Sequence, residues 1–278
     1  MSMMANSKDD STKRLATAIR VHVLRMVHRA NASHVGSCLS MADILAVLYG
    51  CVLRVDPAWP DWPDRDRFIL SKGHAGAAVY AVLAERGFFP KEWLDIYCQD
   101  GSKLAGHITS HGVPGVEVST GSLGHGLSIG CGMALAGKRD GRDSRVVVLL
   151  SDGELDEGSN WEAILFAPQH KLDNLVAIVD YNKIQGVGRI EDVLDLKPLA
   201  TKWSAFQWSV REIDGHSHEE ILSALSSLPF SEGRPSVIIA HTIKGKGVSF
   251  MEDQLAWHYK SPNEQQLAQA LGELGVAE

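Results

Sequence analysis

Val146-Val147-Val148-Leu149-Leu150-Ser151-Asp152-Gly153-Glu154-Leu155-Asp156-Glu157-Gly158, followed by Leu175-Val176-Ala177-Ile178-Val179-Asp180-Tyr181-Asn182-Lys183-Ile184, decides the fold. Each segment opens on a continuous apolar run, and Glu157 to His170 between them reads as a helix. Unbroken apolar runs mark strands buried on both faces, and strand, helix, strand in that order implies parallel pairing. Asp152 and Asn182 then stand side by side at the carboxyl edge, where open parallel sheets bind ligands.

That pair suits a hard cation. Magnesium takes octahedral oxygen ligands, usually one or two protein groups completed by substrate phosphates. The Asp152 carboxylate, the Asn182 amide oxygen and a backbone carbonyl just beyond it, at Ile184, leave room for phosphate oxygens and water. Gly153 lets the backbone approach those phosphates, and the helix that follows offers its free N–H groups. Taken singly, Asp-Gly is a turn dipeptide and Asn a loop cap, so the surroundings have to decide.

Outward from this segment the same chemistry recurs. The segment resembles the thiamine diphosphate motif, a Gly-Asp-Gly triplet followed roughly thirty residues later by Asn, and here Asn182 lies 30 positions after Asp152. Ala32-Ser33-His34-Val35-Gly36, Leu70-Ser71-Lys72-Gly73-His74-Ala75, Ala105-Gly106-His107, Ser119-Thr120-Gly121-Ser122-Leu123-Gly124-His125-Gly126 and Trp257-His258 follow the order of the transketolase family. Over most of its length the chain resembles that family's N-terminal, diphosphate-binding domain. Two positions depart from the pattern: Ser151 stands for the first glycine of the triplet, and His125 for a glutamine.

The resemblance implies an α/β fold with a doubly wound, mostly parallel sheet flanked by helices. Residues 1–278 would be a single diphosphate-binding domain with a flexible start at 1–12. The implied cofactors are thiamine diphosphate and Mg2+, or Ca2+ or Mn2+ in its place, with Asp152, Asn182 and Ile184 as metal ligands. His34 and His107 correspond to residues that contact sugar hydroxyls, and His74 and His258 to residues near the diphosphate and substrate. His111 is an additional possibility. Gly121 and Leu123 would offer backbone groups to the aminopyrimidine, with Gly153 and Asn182 at the diphosphate. Glu157 and Glu162 match glutamates that bridge towards a partner's catalytic glutamate; as solvated charges in a first helical turn they would only favour the helix dipole. The implied reaction moves a two-carbon ketol unit from a ketose phosphate to an aldose phosphate, with histidines shuttling protons near their working pH.

A transketolase is more than twice this length, and in that family the glutamate that activates the aminopyrimidine comes from a neighbouring pyrimidine-binding domain. Its motif should follow His258, whereas the sequence ends at Glu278. The expectation is therefore one half of a split enzyme, which needs a C-terminal subunit to be active and assembles as two copies of each half. A 2-oxo acid dehydrogenase subunit shares the Asp and Asn pair, but the histidines and the 119–126 loop favour transketolase. A 1-deoxy-xylulose-5-phosphate synthase is disfavoured by length. A non-catalytic cofactor-binding module has only the missing half in its favour. Gly186-Val187-Gly188 lacks the third glycine of a nicotinamide fingerprint and follows no first strand.

The rest of the chain supports an alternating α/β order. Leu15, Ile19, Val23, Met26 and Val27 share a helical face. Ser40-Met41-Ala42-Asp43 resembles a capping box opening a helix through Leu53, and 56–63 is a loop. Phe68 to Leu70, Val210 to Ile213 and Val237 to Ala240 read as strands, with helices at Ala75 to Glu85 and Glu219 to Leu228. A last helix opens at Ser261-Pro262-Asn263-Glu264, with serine as cap and proline in first position. Tight helix packing accounts for Gly130 and Gly132.

At 278 residues, 45% hydrophobic, the chain can bury a large core. A formal charge of −7 disfavours nucleic acid. No segment approaches an apolar membrane span, and the polar start lacks a signal-peptide core. Cys38, Cys51, Cys98 and Cys131 have no metal-ligand spacing, so buried reduced thiols in a cytoplasmic protein are expected.

Overall fold

The computed structural model describes residues 2–276, with side chains from residue 9. Helix α1 (Ser2–Ala30) leads into two short helices, α2 (Val35–Ser40) and α3 (Ala42–Val47), and a wide turn at Leu48–Val52. Then come β1 (Arg67–Leu70), α4 (Gly76–Glu85), α5 (Gly126–Arg139), β2 (Val146–Ser151), α6 (Gly158–Gln169) and β3 (Leu175–Tyr181). After β3 follow α7 (Ile190–Val193), α8 (Leu199–Ala205), β4 (Ser209–Asp214), α9 (His218–Ser226), β5 (Ser236–His241) and α10 (Glu264–Glu273).

All five strands pair in parallel, in the order β1-β2-β3-β5-β4. The reason is visible in the burial of β2 and β3, in which every residue is buried. Alternate side chains enter opposite cores. Val147, Leu149, Val176, Ile178 and Ile238 face α1 to α4 and α9, while Val146, Val148, Leu150, Ala177, Val179 and Ile239 face α5, α6 and α8. Each fully buried leucine, isoleucine or valine contributes roughly 1.5–3 kcal/mol relative to exposure. Because β4 lies outside β5, the chain reverses direction across the sheet and covers both faces.

Several local expectations are corrected. Residues 2–12 are described as the opening turns of α1. The helix expected to open at Ser40 and run through Leu53 is present as α3 and the wide turn to Val52, but its N-cap position is Met41, with no side-chain cap, and Ser40 closes the preceding α2. The Ser40 hydroxyl donates to Asp180 (2.6 Å) instead of capping, and Asp43 is drawn to Arg20, His216 and His218. In α10 the cap is Asn263, whose side chain and that of Gln266 close a reciprocal capping box; Ser261 bonds the Val27 carbonyl. A methyl on Gly130 would lie 2.5 Å from Val148, as tight packing requires, but Gly132 faces open space. Cys38 and Cys131 are buried, whereas Cys98 is exposed. Among the described residues no helix is long and apolar enough to cross a membrane.

Candidate active site

The carboxyl ends of β1, β2, β3 and β5 converge on a pocket of about 300 Å³. Its wall carries His34, His74, His107, Gly121, Leu123, Asp152, Gly153, Asn182, Ile184 and His258, brought together from across the sequence. Glu157 and Glu162 do not line it. Glu157 is exposed next to the loop, where a methyl on Gly124 would lie 2.7 Å from its Cβ. Glu162 lies in a separate surface groove with Leu165 and Phe166, and His111 is exposed outside the pocket.

At the strand ends Asp152 is buried, its carboxylate accepting the N–H groups of Gly153 (2.8 Å) and Lys183 (2.6 Å). The Gly153 N–H is thus already satisfied at the strand end. Glu154 N–H goes to the Ser151 hydroxyl and Leu155 N–H to the Asp152 carbonyl, because a tight helical turn at Gly153–Asp156 intervenes before α6. Asn182 accepts the Ile184 N–H at 3.1 Å and donates to Asp180. Burial and the Asp180 charge push the Asp152 carboxyl up to about 7. The Asp152 carboxylate, the Asn182 amide oxygen and the Ile184 carbonyl belong to residues that line one pocket and are oxygen types a hard cation takes, with the Ile184 carbonyl already accepting from Lys244. No group of three or more His, Cys, Asp or Glu capable of holding a metal occurs among the described residues.

Sequence reasoning overlooked the cations. Lys244, almost fully buried after β5, donates to the Ile184 carbonyl (2.9 Å) and to His258 Nδ1 (2.7 Å). Burial lowers its ammonium to about 8. With Nδ1 accepting, a neutral His258 carries its proton on Nε2. Lys72, also buried, pairs with Asp180 and donates to the Ser37 carbonyl. Asp180 further accepts from Ser40, Thr242 and Asn182; burial alone would raise its carboxyl, but Lys72 and these donors hold it below the usual range. Lys72 lies inside a recognised motif. Lys244, Asp180 and Glu154 had no spacing signal beyond a position near Asp152, Asn182 or His258.

The four histidines form one cluster. The His34 ring lies tilted or edge-on to His74, His107 and His258, with ring centroids 4.9, 5.8 and 5.2 Å away. A left-handed backbone at His34 (φ 74°) turns the ring inward, and its N–H bonds the His258 carbonyl at 2.8 Å. Burial, then neighbouring cationic groups, lowers His34 to about 4 and His258 to about 3, and His74 falls well below its ordinary value. These three imidazoles are therefore neutral near pH 7. Gly73 is required beneath them, since a methyl there would lie 2.2 Å from the Thr120 carbonyl oxygen.

The family described as transketolase, thiamine diphosphate binding domain, matches residues 11–278. The chain is 44% identical over 259 residues to the 6-deoxy-6-sulfo-D-fructose transketolase subunit SqwG of Clostridium sp. strain MSTE9, covering 93% of this chain and 94% of that protein. It is 44% identical over 258 residues to one of the subunits of the apulose-4-phosphate transketolase of Phocaeicola vulgatus, covering 92% and 90%. The solved transketolase of Campylobacter jejuni superposes with a TM-score of 0.91 at 33% identity, covering 96% of this chain and 43% of that one. The Leishmania mexicana transketolase gives 0.90 at 31%, covering 96% and 41%. The chain thus spans about two fifths of these solved transketolases and nearly all of the relatives named as subunits.

Proposed function

The chain belongs to the transketolase family, and from that premise we propose that it is the N-terminal subunit of a two-chain transketolase, moving a ketol unit between sugar phosphates. The observation that carries the proposal is a single pocket lined both by Asp152, Asn182 and Ile184 and by four histidines. The match over at least 90% of the length of relatives named as subunits supports the two-chain reading.

The residues fit the implied cofactor: Asp152, Asn182 and the Ile184 carbonyl would hold Mg2+ and through it the diphosphate, and Gly121 and Leu123 would face the aminopyrimidine. Thiamine diphosphate supplies the carbon nucleophile and electron sink that carbon–carbon cleavage of a ketose needs. The chain supplies position and protons. Neutral His34 and His74 accept a hydroxyl proton or relay one to a carbonyl oxygen, His258 presents its Nε2 proton as a donor, and His107 extends the cluster towards the loop at Gly121. Lys244 keeps Nδ1 of His258 occupied, so proton exchange at that ring occurs at Nε2. Glu157 lies beside Gly124, a placement compatible with reaching a partner's glutamate; Glu162 would do so only from the outer groove. A C-terminal subunit completes the site, as two copies of each half.

The test is reconstitution of the chain with a C-terminal transketolase half, assayed on a panel of ketose phosphates that includes sulfonated and branched sugars. Turnover should require both chains, thiamine diphosphate and a divalent cation, and Asp152→Ala should abolish cation-dependent cofactor binding by calorimetry. Turnover by the chain alone would refute the two-chain reading. Unchanged cofactor affinity in Asp152→Ala would remove the metal assignment.

A further inference from the structure

Glu154 is completely buried, and its carboxylate meets three separate segments of the chain. Oε1 accepts the Gly124 N–H at 3.0 Å and the Ser71 hydroxyl proton. Ser71 Oγ in turn accepts the Gly126 N–H at 3.1 Å. Oε2 accepts the Ser151 N–H at 3.2 Å. One carboxylate therefore ties the carboxyl ends of β1 and β2 to both Gly124 and Gly126 of the 121–126 loop.

The loop has few other holds. His125, which precedes α5, makes no side-chain cap, so the Ser71 hydroxyl takes over that task at the helix start. The Gly124 carbonyl accepts from Ser159 at 2.8 Å, and Asn160 Nδ2 fixes the Glu154 carbonyl at 2.6 Å. The space is closed as well, because a methyl on Gly126 would lie 2.3 Å from Ser71 Oγ. Three donors converge on Glu154, and only a carboxylate offers acceptors to all of them. An amide in its place would turn its NH2 towards one donor and leave two buried donors facing each other.

We propose that Glu154 is a positioning residue that sets the distance between the two ends of the cofactor pocket, locking the Gly121–Gly126 loop to the strand edge that carries Asp152. The proposal rests on the transketolase reading for what the pocket holds; Gly121 and Leu123 of the loop and Asp152 and Gly153 of the strand edge all line it. Glu154 borders the pocket, but its carboxylate is taken up by hydrogen bonds within the chain. It acts through Ser71, Gly124 and Ser151.

Two variants test it, Glu154→Gln and Ser71→Ala, together with the double variant. In the purified chain without cofactor, amide exchange at Gly124 and Gly126 should accelerate about tenfold or more in Glu154→Gln, the loss expected for a buried bond to a charged acceptor. Exchange at Val147 to Leu149 in β2 should stay as in the wild type. Ser71→Ala should free Gly126 and leave Ser151 protected, and the double variant should show Gly126 no faster than the single ones, since both sit on one path. In the chain assembled with its partner half, half-saturation by thiamine diphosphate should rise by a similar factor in Glu154→Gln while kcat at saturating cofactor is little changed. Uniform acceleration across the sheet, unchanged exchange at Gly124 and Gly126, or a loosened loop with unchanged half-saturation would each overturn the proposal. Failure of the wild type to take up thiamine diphosphate would refute the transketolase reading instead, and the exchange pattern would then decide the anchoring by itself.

Discussion

Replacing Lys72 by methionine isolates a fully buried charge close to the pocket. Lys72 and Asp180 are both fully enclosed, and the ammonium also holds the Ser37 carbonyl at 3.0 Å. Methionine fills the space of the stem but leaves Asp180 with only neutral donors, from Ser40, Thr242 and Asn182. Removing one partner of a buried pair typically costs about 3–5 kcal/mol, and the three remaining bonds place this case near the lower end, about 3 kcal/mol. For a chain of this size that corresponds to a fall of roughly 6–12 °C in midpoint. Urea unfolding of the chain without cofactor measures it. Lys72→Met combined with Asp180→Asn removes the stranded charge and should recover at least half of the loss. A loss below about 1 kcal/mol, or a double variant no better than the single one, would show that the pair is not what holds β3 to the Ser71–His74 turn.

Two further perturbations follow from the same geometry. Gly130→Ala drives a methyl into Val148 and should cost about 1–3 kcal/mol, whereas Gly132→Ala, in open space on the same helix, should gain about 0.5–1 kcal/mol; urea midpoints of the same sign for both would contradict the packing. His34 takes a proton near 6.5 when unfolded and only near 4 when folded, so unfolding takes up a proton between those values and acid penalises the native chain. His34→Gln should therefore gain stability relative to wild type as pH falls through that window, and a difference that stays constant across it would refute the burial argument.

The sheet could be read from the chain because β2 and β3 are buried on both faces, which demands unbroken apolar runs, and all five observed strands contain the runs predicted. The gathering of His34, His74, His107, Asp152, Asn182 and His258 in one pocket likewise follows from motifs that close strands or flank helices. Helix ends were less legible. Ser40 and Ser261 carry the residue type of a cap, yet their hydroxyls are claimed by Asp180 and by the Val27 carbonyl, groups distant in the chain.

The succession of strands and helices, and the placing of Asp152 and Asn182 at the ends of two of those strands, were present in the order of the residues. These are local features, set by side-chain periodicity and short spacing. That Lys72 neutralises Asp180, that Lys244 reaches Ile184 and His258, and that Glu154 fastens the glycine loop emerged only once the chain was folded. Charges buried in a fold are stable only against partners, and those partners arrive from strands and loops tens of residues away.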